Sequence, residues 1–242
     1  DRGVAQDSWV HNSDKGTWKY YGDEEEPKLH TGWFEAVPSK ELNSDDHENG
    51  TTHWYYANSK GEITIPTADG EVGVVKTIDG KSYLFNSDGE MVTGLRILTY
   101  DGSKITNISS EVDSADTVKN MNSDTMKLVY FESNGAAKTG TTTITLDGTS
   151  YTFSFKSNGS PRGVGETGIS DGYIYQNGLR LTADEDTKYG VVTYKNESYV
   201  VNEKGSIQKN KKNLKDADET YYCTNAKGIL LHSSTEKCTT KH

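Results

Sequence analysis

An aromatic segment followed by a glycine turn recurs along this chain, and that repeat limits the possible folds more than any other feature. The clearest copy is HWYYANSKGEITI, from His53 to Ile65. It predicts an aromatic strand, a tight turn from Asn58 to Gly61, and a second strand. Weaker copies follow, and the turn glycines of the series are Gly61, Gly89, Gly135, Gly159, Gly178, Gly205 and Gly228. Successive steps of 28, 46, 24, 19, 27 and 23 residues indicate a repeat with one insertion.

Residues that favour strands alternate in front of these turns. Tyr83 and Phe85 lie two positions apart, as do Phe153 and Phe155, so each pair faces one side of a strand. We expect these four rings to pack in the core between hairpins. Asn, Ser, Asp and Gly tolerate the backbone of a hairpin turn. Because one isolated hairpin is marginally stable in water, the copies must bury their aromatic faces against each other. The sequence therefore predicts an all-β protein of tandem, stacked β-hairpin repeats.

Two segments interrupt the repeat. The first, Glu35 to Thr52, is polar and charged and predicts a loop. The second is an insertion near 96–127, in which two short apolar runs predict extra strands on either side of Asp101-Gly102-Ser103. For residues 111–126 the sequence leaves a surface loop and a short helix open.

The quality of the repeats divides the chain into three parts. Residues 1–95 contain the better-matched copies with tryptophan, 96–127 form the insertion, and 128–242 contain degenerate copies. We expect the repeats to form one continuous array.

Composition supports a thin β-structure without one large core. The hydrophobic fraction is 32%, against roughly 45–50% in typical globular domains on a count that includes glycine. The chain is instead rich in aromatic residues and glycine, with 15 Tyr, 4 Trp and 24 Gly. A net charge of −10 argues against binding to nucleic acid or anionic lipid. No apolar run reaches the ~18 residues of a transmembrane segment.

The sequence contains no recognisable catalytic motif. A G-x-S-x-G nucleophile elbow, an HExxH helix and a Walker A loop are all absent. We therefore expect no enzymatic activity and no cofactor. The two cysteines, Cys223 and Cys238, are 15 residues apart and can form a disulfide in an oxidising compartment, but no Cys/His cluster suggests a metal.

Four short segments resemble the repeats of Gram-positive cell-wall-binding proteins. This family includes choline-binding modules, glucan-binding domains and the carbohydrate-binding repeats of clostridial toxins. The segments are Ser8-Trp9-Val10, Gly16-Thr17-Trp18-Lys19-Tyr20-Tyr21, Thr31-Gly32-Trp33-Phe34 and Trp54-Tyr55-Tyr56. The resemblance implies hairpins wound into a left-handed β-solenoid, in a secreted protein of the cell wall or cell surface. It also implies that Trp9 belongs to a larger repeat array.

The same resemblance implies a ligand site. In choline-binding members, rings from successive hairpins hold a quaternary ammonium group by cation–π attraction, worth roughly 0.5–2 kcal/mol per contact. Carried over to this chain, Trp18, Trp33 and either Tyr56 or Trp54 would enclose one such site, and Tyr20 is a further candidate. No tryptophan follows Trp54, so the later copies lack the full set of rings.

Two functions follow from this interpretation. The first is a non-catalytic module that binds a choline-bearing teichoic acid or a polysaccharide of the cell wall. The alternative is a structural spacer or adhesin that binds a host or surface protein and holds no small ligand.

Overall fold

A computed structural model of the chain describes residues 8–22, 27–159 and 162–239. Within these ranges the protein is almost entirely antiparallel β-structure, as the repeats predict. The chain divides into two compact units. The first consists of Asp1–Val112, Asn122–Lys138 and Asn158–Gly163, and the second of Asp113–Met121, Thr139–Ser157 and Val164–His242.

The first unit contains two small sheets and one larger sheet. Strands β1 and β2 pair with each other, β3 pairs with β4, and a five-stranded sheet has the order β6-β5-β8-β7-β9. The elements are β1 (Trp9–Asn12), β2 (Thr17–Tyr20), β3 (Gly32–Ala36), α1 (Ser44–Asn49), β4 (His53–Ala57), β5 (Gly73–Ile78), β6 (Lys81–Asn86), β7 (Gly94–Asp101), β8 (Lys104–Ile108) and β9 (Met126–Phe131).

The second unit is built in the same way. Its sheets have the orders β10-β11-β14-β13-β12, β15-β16 and β17-β18-β19. The elements are α2 (Ala115–Asn120), β10 (Gly140–Leu146), β11 (Thr149–Phe155), β12 (Gly168–Ser170), β13 (Tyr173–Gln176), β14 (Leu179–Arg180), β15 (Tyr189–Tyr194), β16 (Glu197–Asn202), β17 (Leu214–Lys215), β18 (Tyr221–Thr224) and β19 (Leu230–Ser234). Neither helix has the length or apolar character needed to cross a membrane, and the described ranges hold no other α-helix.

The strand that carries Trp54 pairs with the strand before it in the sequence, and not with the segment after it as predicted. We expected it to pair with the segment after Gly61, but β4 pairs with the preceding strand β3. Beyond the turn, only a single bridge joins Ala57 to Ile63. The backbone N–H of Ile63 donates instead to the carbonyl of Trp18, at 3.0 Å, in the preceding hairpin. After the turn the chain therefore pairs only briefly with its own hairpin, through Thr64 N–H to the Tyr56 carbonyl at 2.9 Å, and is also bonded to the previous hairpin.

An asparagine organises these turns. In the turn after β6, Asn86 Oδ1 accepts hydrogen bonds from the N–H groups of Asp88 (3.0 Å) and Glu90 (2.8 Å), and the Asn86 carbonyl accepts from Gly89 N–H at 3.1 Å. Asn58, Asn202 and Asn225 make the same set of contacts in their own turns. Asparagine side chains stabilise turns by such local hydrogen bonds. The spacing N-x-x-G thus marks a turn that follows an aromatic strand.

The turn glycine also makes the contact with the previous repeat. Gly89 has a φ of +79°, and a Cβ at this position would lie 2.7 Å from Ile63 Cδ1 and 3.0 Å from Ile65 Cγ2. Gly228 presses on Ile207 in the same manner in the second unit. Glycine is therefore needed both for the left-handed backbone and for the close approach of successive repeats.

Both interruptions of the repeat contain a short helix. The segment from Glu35 to Thr52, predicted as a loop, contains α1, and this part of the prediction is wrong. Asn43 caps the helix by accepting from the N–H of Asp46 at 3.2 Å, and Gly50 ends it with a φ of +67°. The sequence Asn43-Ser44-Asp45-Asp46 contains the signal for this cap, with acidic residues in the first turn.

The predicted strands of the insertion are confirmed. They form β7 and β8, which pair around the turn at Asp101 and join the five-stranded sheet of the first unit. The open choice for residues 111–126 is decided in favour of a short helix, because α2 occupies Ala115–Asn120 with Ser114 as its cap.

A disulfide closes the C-terminal sheet. Cys223 of β18 is bonded to Cys238, with a Cα–Cα distance of 6.5 Å.

Removing a cross-link that closes a loop of this length costs about 3 kcal/mol. We expect the double variant Cys223→Ala/Cys238→Ala to lose about that much free energy of unfolding in urea denaturation. The wild type in reductant should approach the variant, whose own curve should not respond to reductant. Superimposable curves for wild type and variant would contradict a stabilising role.

Candidate functional site

Alternation along β3 and β4 separates two groups of aromatic rings. Phe34 lies opposite Tyr55, and Trp33 lies opposite Tyr56. Because neighbouring residues of a strand face opposite sides, the first pair turns into the core and the second turns away from it. Phe34 and Tyr55 are buried, whereas Trp33 and Tyr56 are half-buried.

Trp33, Tyr56 and Tyr83 form a group that we call the outer aromatic cluster. The ring of Trp33 lies 5.1 Å from Tyr56 and 4.8 Å from Tyr83, with interplanar angles of 68° and 62°. Trp33 also touches Phe85, at 5.8 Å, on the core side. Tyr83 belongs to β6, so the cluster joins rings from two successive hairpins. Edge-to-face contacts of this kind are favourable.

A lysine of the same chain lies at this cluster. Lys76 of β5 is opposite Tyr83 in the sheet, and its Nζ is 5.6 Å from the centre of the Tyr56 ring. That is within the range of a cation–π contact. The cluster is thus able to attract a cation, and the chain supplies one at its edge.

The other predicted site residues lie elsewhere. Trp18 is 7% exposed and stacks on His11, with ring centres 4.3 Å apart. Tyr20 packs in the core, 4.9 Å from Trp9 and parallel to Phe34. The structure therefore brings Trp33 and Tyr56 together, but does not bring Trp18 or Tyr20 to them.

Trp54 was expected at the ligand site and Tyr83 in the core, but the structure places Tyr83 in the outer aromatic cluster and Trp54 outside it. Trp54 is 45% exposed and makes no ring contact with another aromatic residue in the described part of the chain. Tyr83, which we expected in the core, is half-buried and completes the outer aromatic cluster. The signal for Tyr83 was its two-residue spacing from Phe85, but that spacing does not tell which neighbouring hairpin it meets.

In the second unit, the chain's own cations lie on tyrosine rings. The guanidinium of Arg180 is 3.8 Å from the centre of the Tyr173 ring and 5.5 Å from that of Tyr175. It also donates a hydrogen bond of 2.9 Å to the Tyr175 hydroxyl. Further contacts of 5.4–5.9 Å join Lys188 to Tyr189, Lys195 to Tyr194, and Lys215 and Lys237 to Tyr221. Here the aromatic faces interact with internal cations.

Comparison with known proteins identifies similar folds but no close sequence. No protein-family model matches the chain, and no curated protein matches it significantly. A crystal structure of CbpF in complex with ipratropium is similar with a TM-score of 0.53 and 20% identity, over 94% of this chain and 60% of that one. The chain thus spans less than two thirds of that structure. The choline-binding domain of CbpL from Streptococcus pneumoniae gives a TM-score of 0.45 and 13% identity, over 95% of this chain and 99% of that domain. At that score the second similarity carries no argument of its own.

Proposed function

We propose that this chain, which has the fold of a choline-binding repeat protein, is a non-catalytic module that binds a choline-bearing polymer of the bacterial cell wall. In this proposal the outer aromatic cluster holds the quaternary ammonium group. The protein acts outside the cell, in the wall or at the surface, and its hairpins follow a left-handed solenoid path. A teichoic acid that carries choline fits this role.

The convergence of rings from two successive hairpins is the observation that supports the proposal. Trp33 meets Tyr56 of its own hairpin and Tyr83 of the next one, within 5.1 Å in both cases. A quaternary ammonium has no N–H to donate, so aromatic faces are suited to recognise it. The net charge of −10 also favours a cationic head group over an anionic one. The same rings suit the C–H face of a sugar, so the experiment must separate the two ligands.

Retention on a quaternary amine resin tests the proposal, provided that plain ion exchange is excluded. An acidic protein binds such a resin by charge alone, and this binding disappears in about 1 M NaCl, where the Debye length is only ~3 Å. We expect the protein to stay on the resin at that salt concentration and to elute with free choline at equal ionic strength. Purified cell walls should retain it with the same competition. Failure on both supports would reject the proposal, and competition by sugar alone would favour a polysaccharide ligand.

Lys76 should weaken the binding of a cationic ligand, because its ammonium group competes for the face of Tyr56. We expect Lys76→Met to tighten choline binding by a few-fold, as measured by isothermal titration. Lys81→Met is the matched control, since Lys81 lies in the same β5–β6 hairpin, opposite Ile78, and makes the same change in net charge. An equal gain in both variants would mean that only the net charge matters.

A spacer or adhesin function remains as a second candidate, and the second unit favours it. There, the face of Tyr173 is covered by Arg180 at 3.8 Å, so an external cation has less to gain from that ring. If neither the resin nor the cell wall retains the protein, stacking without a small ligand becomes the better account. Binding to a host or surface protein would then be sought.

A further inference from the structure

In the first unit, a histidine and two carboxylates from three different segments of the chain lie close together. Asp46 lies in α1, His53 in β4, and Glu90 follows the turn after β6. His53 Nε2 is 2.9 Å from Asp46 Oδ2 and 3.7 Å from Glu90 Oε1. All three of these atoms lie within 4.8 Å of one another. The group thus connects the β3–β4 loop to the following repeat.

Two asparagine amides hold the carboxylates in place. Asn43 Nδ2 donates to Asp46 Oδ2 and to Glu90 Oε1, at 2.9 Å in each case. Asn86 Nδ2 donates to Glu90 Oε2, also at 2.9 Å. Outer hydrogen bonds of this type orient the ligands of metal sites. Because amides are neutral, they fix the oxygens without compensating the charge.

The negative charge of this group is only weakly balanced. The Glu90 side chain is 10% exposed, and within the described ranges neither Glu90 nor Asp46 forms an ion pair with a lysine or arginine. Buried carboxylates are costly unless they are paired or coordinate a metal. Among the described residues, the basic side chain that lies within 4 Å of these carboxylates is His53.

The hydroxyl of Tyr55 is a separate indication that a polar group binds at this place. Tyr55 is fully buried, and its hydroxyl has no hydrogen-bond partner among the described residues. Tyr55 lies two residues from His53 on β4, so the two side chains face the same side of the strand. A water bound to a cation beside His53 would donate a hydrogen bond to this hydroxyl.

We propose that Asp46, His53 and Glu90 bind a divalent first-row transition cation, of which Zn²⁺ is the representative. Zn²⁺ accepts imidazole nitrogen and carboxylate oxygen at about 2.0–2.2 Å, which places tetrahedral ligand atoms about 3.4 Å from each other. The distances of 2.9 and 3.7 Å bracket that value. Three protein ligands leave a position for water. The imidazole argues against Ca²⁺, which takes oxygen ligands.

Titration of the EDTA-treated full chain with Zn²⁺ tests this site. We expect one ion per chain by calorimetry and a higher melting temperature in Zn²⁺ than in EDTA. Both described cysteines are bonded to each other, so free thiolates do not compete. Asp46→Asn and His53→Gln should each weaken Zn²⁺ binding by about tenfold or more. Because Asn preserves the size and polarity of Asp46, this variant is expected to fold.

His47→Gln is the matched control, since His47 lies in the same helix but contacts the Pro38 carbonyl, at 2.8 Å, rather than the cluster. It should bind Zn²⁺ as the wild type does. The proposal is overturned if the folded wild type binds no Zn²⁺, or if Asp46→Asn and His53→Gln bind it unchanged. It is also overturned if Ca²⁺ raises the melting temperature as much as Zn²⁺ does. None of these measurements depends on choline binding.

Discussion

Replacing Trp33 with alanine is expected to weaken choline binding by about tenfold and to abolish retention on the quaternary amine resin at high salt. Trp33 is the one ring that contacts both other members of the outer aromatic cluster, at 5.1 Å and 4.8 Å. Loss of a cation–π contact of about 1–2 kcal/mol corresponds to this change in affinity. Titration calorimetry with choline measures the affinity, and urea denaturation checks that the variant is folded.

Trp54→Ala is the control for this prediction, because it removes the same side chain from the same hairpin. Trp54 is 45% exposed and lies outside the outer aromatic cluster. We expect its replacement to leave the affinity unchanged. If Trp54→Ala lost binding while Trp33→Ala kept it, the ligand would have to bind beside Trp54, at a different part of the same face of the hairpin. An unchanged affinity in both variants would remove this hairpin from the site altogether.

Gly89→Ala is expected to destabilise the first unit by about 2–4 kcal/mol. Part of the loss, about 1–2 kcal/mol, comes from placing a Cβ on a residue with positive φ, here +79°. The remainder comes from overpacking, since the new Cβ would lie 2.7 Å from Ile63 Cδ1 and 3.3 Å from the Thr64 carbonyl oxygen. Urea denaturation of the full chain measures the change in the free energy of unfolding.

Gly80→Ala separates these two contributions. Gly80 has almost the same backbone conformation, with a φ of +77°, but no atom lies within 4 Å of a Cβ built there. It should therefore cost only the conformational part, about 1–2 kcal/mol. The difference between the two variants measures how strongly one repeat packs on the next. Equal losses would mean that the turn glycines do not hold successive repeats together.

The periodicity of the sequence was enough to predict an all-β repeat protein, but not the pairing of its strands. A turn with asparagine and glycine is compatible with a chain that folds back on itself and with one that continues to the next repeat. At Gly178 and at Gly228 the chain does fold back, and β13–β14 and β18–β19 are formed as predicted. At Gly61 and Gly89 it continues, because Ile63 and Met91 donate to the carbonyls of Trp18 and Trp54 in the preceding hairpins. Hydrogen bonds between residues so far apart in sequence leave no local signal.

The site was predicted in part for the same reason. Trp33 and Tyr56 were expected to meet across two successive hairpins. They do meet, but as cross-strand neighbours of one hairpin. Once the pairing is shifted, the next ring that reaches Trp33 is Tyr83 rather than Trp18. The group of Asp46, His53 and Glu90 lay beyond prediction, because it depends on the position of α1 against a later turn.

The hairpins differ greatly at their tips, although their bases are alike. The β5–β6 hairpin is closed by Asp79 and Gly80 alone, whereas residues 37–52 and helix α1 separate β3 from β4. Both hairpins nevertheless end in the same asparagine turn. After each turn a single backbone hydrogen bond, from Ile63 or Met91, connects the chain to the preceding hairpin. The insertion at the β3–β4 tip adds a contact of its own, from Asn43 to Glu90 at 2.9 Å, while the backbone bond between successive hairpins is the same in both cases. A protein built in this way can gain or lose a loop or a short helix at the tip of one hairpin while the backbone connection between successive hairpins is kept.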